Sequence, residues 1–114
     1  MKIKDVAKLL NANIITGSSK LDEEVLYGFA SDLLSDVLTV DSERLLLLTG
    51  MTNLQAIRTS EMAEINCIVF VRNKKMTPEM VELASENNIV TVESPFSMFH
   101  AVSVLHDNGL KPVY

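Results

Sequence analysis

The sequence predicts an α/β domain, a small and largely parallel sheet flanked by helices. Three observations carry that reading. The second half of the chain alternates short apolar runs with helix-like segments, in the order β-α-β-α-β-α. Its runs Arg44–Thr49 (RLLLLT), Asn66–Val71 (NCIVFV) and Ile89–Val92 (IVTV) are almost unbroken in apolar character, as in strands covered on both faces. The chain has 114 residues, enough for one hydrophobic core and not for two. Residues 1–114 are therefore expected to form a single domain, with the first half a smaller α/β lobe that completes it.

Each element has a local reason. Ile3, Val6, Ala7 and Leu10 recur at helical spacing, so the chain should open on a short amphipathic helix. Asn13–Thr16 reads as a strand closed by the turn residues Gly17-Ser18-Ser19. After the polar stretch from Leu21 to Glu24, Val25–Ala30 is β-prone. Leu33, Leu34, Val37 and Leu38 then make a helical apolar stripe, with Asp32, Ser35 and Asp36 on its other side. Ser31 is the expected N-cap, and Asp32 would complement the helix dipole. Asp41-Ser42-Glu43 is expected to turn. Between the three apolar strands, Leu54–Glu64 and Pro78–Asn87 read as helices, the second opened by a first-turn proline. Ser94-Pro95 should open a last helix reaching about His106, with Met98, Ala101, Val102 and Leu105 inward and Asn108-Gly109 as its stop.

Composition removes several function classes. Ten basic and fifteen acidic side chains give a net charge of -5, which disfavours a nucleic-acid or anionic-membrane partner. The residues at Lys2, Lys4, Asp5 and Lys8 interrupt any signal-peptide core, and the longest charge-free run, Leu45–Ile57, is too short to span a bilayer. A cytoplasmic location is expected. The single cysteine, Cys67, lies inside an apolar strand and reads as a small hydrophobe; it can form neither an internal disulfide nor a multi-cysteine zinc site. His100 and His106 are six residues apart on one helix and do not share the face that chelation needs.

Ligands of open parallel sheets bind beyond the carboxyl ends of the strands. Three segments should converge there: Thr49-Gly50-Met51-Thr52-Asn53, Arg72-Asn73-Lys74-Lys75 and Glu93-Ser94-Pro95. Two lead into helices, whose free N–H groups suit an anion, and Arg72, Lys74 and Lys75 add positive charge. The bland alternative is that Thr52 or Asn53 simply caps a helix. Asp32 and Asp36 read either as a solvated helix face or as paired carboxylates for a metal. No dinucleotide fingerprint, Walker sequence or catalytic triad spacing is present, and no cofactor or resident metal is expected.

From Ile3 to about Gly109 the chain resembles the DRTGG domain, which is similar to the N-terminal domain of HPr kinase/phosphorylase. Val6–Gly17 (VAKLLNANIITG) resembles the family's opening helix, strand and glycine. Gly28–Val37 (GFASDLLSDV) is similar to a Gly-x-x-x-Asp-Leu-Leu-Ser-Asp-Val run of its stand-alone members. Thr77–Ala84, Asn88–Glu93 and Ser97–Val102 resemble its closing helix–strand–helix portion. The eponymous signature is altered. Gly50-Met51-Thr52-Asn53 stands in place of its Gly-Asp-Arg-Thr turn, and Arg72-Asn73 in place of its glycine pair.

The resemblance implies a regulatory module without catalytic activity, since the kinase chemistry of HPr kinase lies in another, P-loop domain. Relatives occur fused to CBS domains, where adenine nucleotides regulate, and to phosphotransacetylase; stand-alone members look associated with anaerobic hydrogenase systems. The expected ligand is a small anion such as a nucleotide. The expected partner is a second copy of the chain, with a protein of a redox or signalling system as a further possibility. The residues assigned to the ligand are Asp32, Ser35, Asp36, Thr49, Gly50, Thr52, Asn53, Arg72, Asn73, Lys74 and Ser94. Rival readings are a ligand-free adaptor, which needs an exposed apolar patch, and a small metal-dependent enzyme using Asp32 and Asp36.

Overall fold

The computed structural model describes residues 1–39 and 43–114. Its elements are α1 (Ile3–Leu9), β1 (Asn13–Thr16), a single 3-10 turn (Ser18–Lys20), β2 (Tyr27–Ala30), α2 (Leu34–Val37), β3 (Leu45–Thr49), α3 (Leu54–Met62), β4 (Cys67–Phe70), α4 (Pro78–Glu86), β5 (Val90–Glu93), α5 (Met98–Asp107) and β6 (Lys111–Pro112). The strands form one sheet in the order β1-β5-β4-β3-β2-β6. Every pairing is parallel except β1 with β5. The α/β class and the largely parallel sheet are as the sequence predicts.

Handedness explains the layers. β2, β3, β4 and β5 step across the sheet in one direction, so right-handed crossovers put α2, α3 and α4 on one face. The helix α5 leaves β5 and returns to β6 at the far edge. The same hand puts it on the opposite face, beside α1. Two cores result. Leu46, Leu48, Cys67, Val69, Val90 and Val92 meet Ile3, Val6, Ala7, Ala101 and Leu105 on the α1/α5 face. Leu45, Leu47, Ile68 and Phe70 meet Val37, Ala56, Ile57, Met80 and Ala84 on the other. Both faces of β3 and β4 are covered, which is why their sequences show no polar alternation.

Cys67 sits in the middle of this stack with no exposed surface, and burial pushes its thiol up to about 12. It packs as the small hydrophobe expected.

Four expectations need correction. The first half completes the domain by adding strands to the one sheet, β1 at its edge and β2 inside it, and not as a smaller lobe. Ser31 does not cap α2. Its Oγ accepts the Leu33 N–H at 3.0 Å in a turn ahead of the helix, and Leu33 holds the cap position with no side-chain bond. Asp32 therefore lies outside the helix, and helical spacing does not place it with Ser35 and Asp36. The last helix opens at Ser97, whose Oγ accepts the His100 N–H at 3.1 Å, rather than at Ser94-Pro95. The strand β6 is an addition, too short at two residues to leave a pattern. Of the turn expected at Asp41-Ser42-Glu43, the first two residues lie outside the described ones.

Candidate functional site

The strands β2, β3, β4 and β5 end side by side, so their exits share one edge. Backbone bonds stitch three of these exits together. The Val71 N–H donates to the Thr49 carbonyl at 3.1 Å, and the Ser94 N–H to that of Phe70 at 2.9 Å. Arg72 and Asn73 donate to the carbonyls of Phe96 and Ser94 at 2.7 and 3.0 Å. Because α4 and α5 go to opposite faces, the gap between the ends of β4 and β5 is the topological switch point, the usual ligand crevice. The Arg72 and Asn73 amides are spent bridging it.

Arg72 and Asn73 have φ of 62° and 58°. This left-handed region costs a branched or bulky residue about 1–2 kcal/mol and glycine almost nothing. Positions 72 and 73 thus adopt the backbone that favours glycine. Their side chains are carried outward, and both residues are exposed.

The polar centre of the edge lies one strand over. Asp32, just past β2, reaches across the end of β3. Its Oδ1 accepts the Gly50 N–H at 2.6 Å and the Thr49 hydroxyl at 3.3 Å, and its Oδ2 lies 3.4 Å from Arg72 Nη2. Thr49 Oγ1 in turn accepts the Met51 N–H at 3.1 Å. The Arg72 guanidinium lies directly over Gly50. A side-chain carbon at position 50 would meet its Cζ at 2.7 Å and its Nε at 2.8 Å. The glycine is needed for this close approach. The ion pair is about half exposed on each side, so it contributes roughly 0–1 kcal/mol. The short bond from Gly50 to a charged acceptor is the stronger part, at about 1.5–3 kcal/mol.

The remaining expected site residues divide. Asn53 caps α3 in the bland sense, its Oδ1 accepting the Ala56 N–H at 3.0 Å, and Thr52 Oγ1 donates to the Gly50 carbonyl at 3.3 Å. Lys74 is exposed beside Arg72 and Asn73. Ser35 and Asp36 are exposed on α2, and among the described residues no side-chain bond joins them to Asp32, Gly50 or Arg72. Ser94 is buried and points inward. Its Oγ donates to the Leu10 carbonyl at 2.8 Å and accepts the Phe96 N–H at 3.2 Å, tying the end of α1 to the start of the α5 connection.

Ser94→Ala is expected to destabilise the domain by about 1–3 kcal/mol, because the Leu10 carbonyl would be left buried and unpaired. Urea denaturation measures it. An unchanged midpoint would remove Ser94 from the list of structural residues.

One residue of the Glu93-Ser94-Pro95 segment expected at this edge was not among those assigned to the ligand. Glu93 ends β5 and is 7% exposed. Its Oε2 accepts the Met76 N–H at 2.8 Å, and its Oε1 lies 3.7 Å from Lys75 Nζ, so it anchors the loop carrying Arg72 and Lys74. The available signal was an acid closing an otherwise apolar strand, Ile89–Glu93.

A second surface feature lies on the α1/α5 face. Gly28 and Ala30 present almost no side chain there, so a groove of about 180 Å³ opens between β2 and α5. Leu48, Val102, Leu105 and Pro112 line it as well. Phe99, one helical turn before Val102, is 86% exposed. Among the described residues no three His, Cys, Asp or Glu side chains gather where a metal could be held, and no helix is long and apolar enough to cross a membrane.

No protein-family model matches the sequence, and no curated protein matches it. Among solved structures, the chain is similar to the CBS and DRTGG domains of the regulatory region of a Clostridium perfringens pyrophosphatase, crystallised with its activator diadenosine tetraphosphate. The TM-score is 0.80 at 15% identity, over 98% of this chain and 48% of that one. The chain therefore spans about half the length of that regulatory region. At this identity the likeness establishes a shared fold.

Proposed function

We propose that residues 1–114 form a DRTGG-like regulatory domain, similar also to the N-terminal domain of HPr kinase/phosphorylase, that binds a small anionic effector at the carboxyl edge of its sheet. The effector class is a nucleotide, the chain acts as a homodimer, and it performs no chemistry of its own. One observation carries the reading. A backbone N–H, a hydroxyl and a guanidinium, from Gly50, Thr49 and Arg72, converge on a single carboxylate at the edge where parallel sheets hold ligands. That donor set is what a phosphate oxygen requires. The nucleotide complex of the structurally similar pyrophosphatase region supports the effector class. Titration with AMP, ATP and diadenosine tetraphosphate, followed by amide NMR, tests it. Shifts are expected at Gly50, Arg72 and Asn73; silence at millimolar nucleotide, in wild type and in an Asp32→Ala variant alike, would end the proposal.

The ligand-free adaptor is favoured by a different observation, the apolar groove beside α5 with Phe99 exposed next to it. A stoichiometric protein partner that protects Val102 and Phe99, together with an unresponsive carboxyl edge, would select this reading. The metal-dependent enzyme has no such observation behind it, since the Asp32 carboxylate is engaged by Gly50 and Arg72.

A further inference from the structure

We infer that Asp32 is an internal competitor for the anion site, so that an effector binds by displacing its carboxylate from Gly50 and Arg72. The inference rests on the proposed effector site and concerns its regulation. An anion site built from Gly50, Thr49 and Arg72 is chemically complete, yet all three donors face Asp32 oxygens, at 2.6 Å from the Gly50 nitrogen, 3.3 Å from the Thr49 hydroxyl and 3.4 Å from Arg72 Nη2. A carboxylate there repels the phosphate it would have to accommodate. In this position it therefore cannot bind the phosphate itself.

The release can be local. Asp32 lies between the end of β2 and the short helix α2, in a turn held by Ser31, and not inside either element. Its side chain is 44% exposed, so a rotation of the side chain or of that turn carries the carboxylate into water. Gly50 is fixed at the end of the buried strand β3, and the Arg72 backbone is bonded to Phe96. The Gly50 and Thr49 donors stay in place while the internal anion leaves, and the Arg72 guanidinium is freed on a backbone that is itself held. The apparent affinity for an external anion is then the intrinsic affinity reduced by the fraction of molecules with Asp32 swung away. Removing the carboxylate should recover that factor.

The test uses inorganic pyrophosphate as the probe, with the wild-type chain, Asp32→Ala and Asp32→Asn compared by amide NMR and calorimetry. Asp32→Ala is expected to bind about tenfold more tightly than wild type or better, with shifts at Gly50 and Arg72. Asp32→Asn, which keeps an acceptor for Gly50 and drops the charge, should fall between them. It also serves if the alanine variant does not fold. Adding Arg72→Gln to either variant should abolish the gain. Binding by a variant where wild type is silent supports the inference equally. Nucleotide binding by wild type with no gain in either variant overturns the inference and leaves the effector reading standing. Silence of all three proteins toward pyrophosphate and nucleotides overturns both.

Discussion

Phe70→Ala should destabilise the domain by about 3–5 kcal/mol, the cost of lost transfer energy plus an incompletely filled cavity. Phe70 has no exposed surface and is the bulkiest side chain of the core on the face covered by α2, α3 and α4. Domains of this size are stable by only about 5–15 kcal/mol, so the change removes a large share of the total. A second effect follows from position. Phe70 is the last residue of β4, its carbonyl receives the Ser94 N–H, and Val71 and Arg72 follow it. Urea denaturation should show the lost stability, and hydrogen exchange should show the Arg72 and Asn73 amides opening more often. A fall in stability with those amides unchanged would mean that the edge is held independently of the core beneath it.

Alkaline pH should weaken the fold through Cys67. Burial raises its pKa from an ordinary 9.0 to about 12, so the folded state retains a proton that the unfolded chain gives up. Below about pH 9 both states are protonated and the group contributes no slope. Between about 9 and 12 the unfolded state binds fewer protons, and stability falls by about 1.4 kcal/mol per pH unit, approaching about 4 kcal/mol across the window. Every other contribution to the pH dependence is shared by a Cys67→Ala variant. The comparison is therefore the difference in slope between the two proteins, from denaturation at about pH 8 and about pH 10.5. The variant should start less stable because of its cavity and should lose less stability as pH rises. Parallel slopes would show that the thiol ionises without leaving the core.

The parts of the fold legible in the sequence were those whose cause is local. Continuous apolar runs gave β3, β4 and β5, since burial on both faces acts on every residue of such a strand. Pro78 and Asn108-Gly109 marked helix ends because they fix or bend the backbone themselves. What stayed hidden depends on distant partners. The direction of β1 is set by Glu93, Val92 and Thr91 of β5, far along the chain. The two residues of β6 are strand only because Tyr27 and Gly28 lie beside them.

The site divides in the same way. The convergence of Gly50 and Arg72 followed from parallel strands ending together. The role of Asp32 did not, because helical spacing grouped it with Ser35 and Asp36, whereas the chain has not yet entered the helix at that residue. Ser94 was legible as polar and at the edge, but its direction is decided by the carbonyl of Leu10.

The two rims of the sheet bear on how the protein behaves when concentrated. At one rim β1 loses register between Ile14 and Thr16, and the local kink spoils it as a template for another chain. At the other, β6 stops after two residues, the second of them Pro112, which has no N–H to offer a neighbour. Growth of the sheet from molecule to molecule is therefore frustrated at both ends, and the apolar strands in its centre can be as sticky as the core requires without seeding filaments.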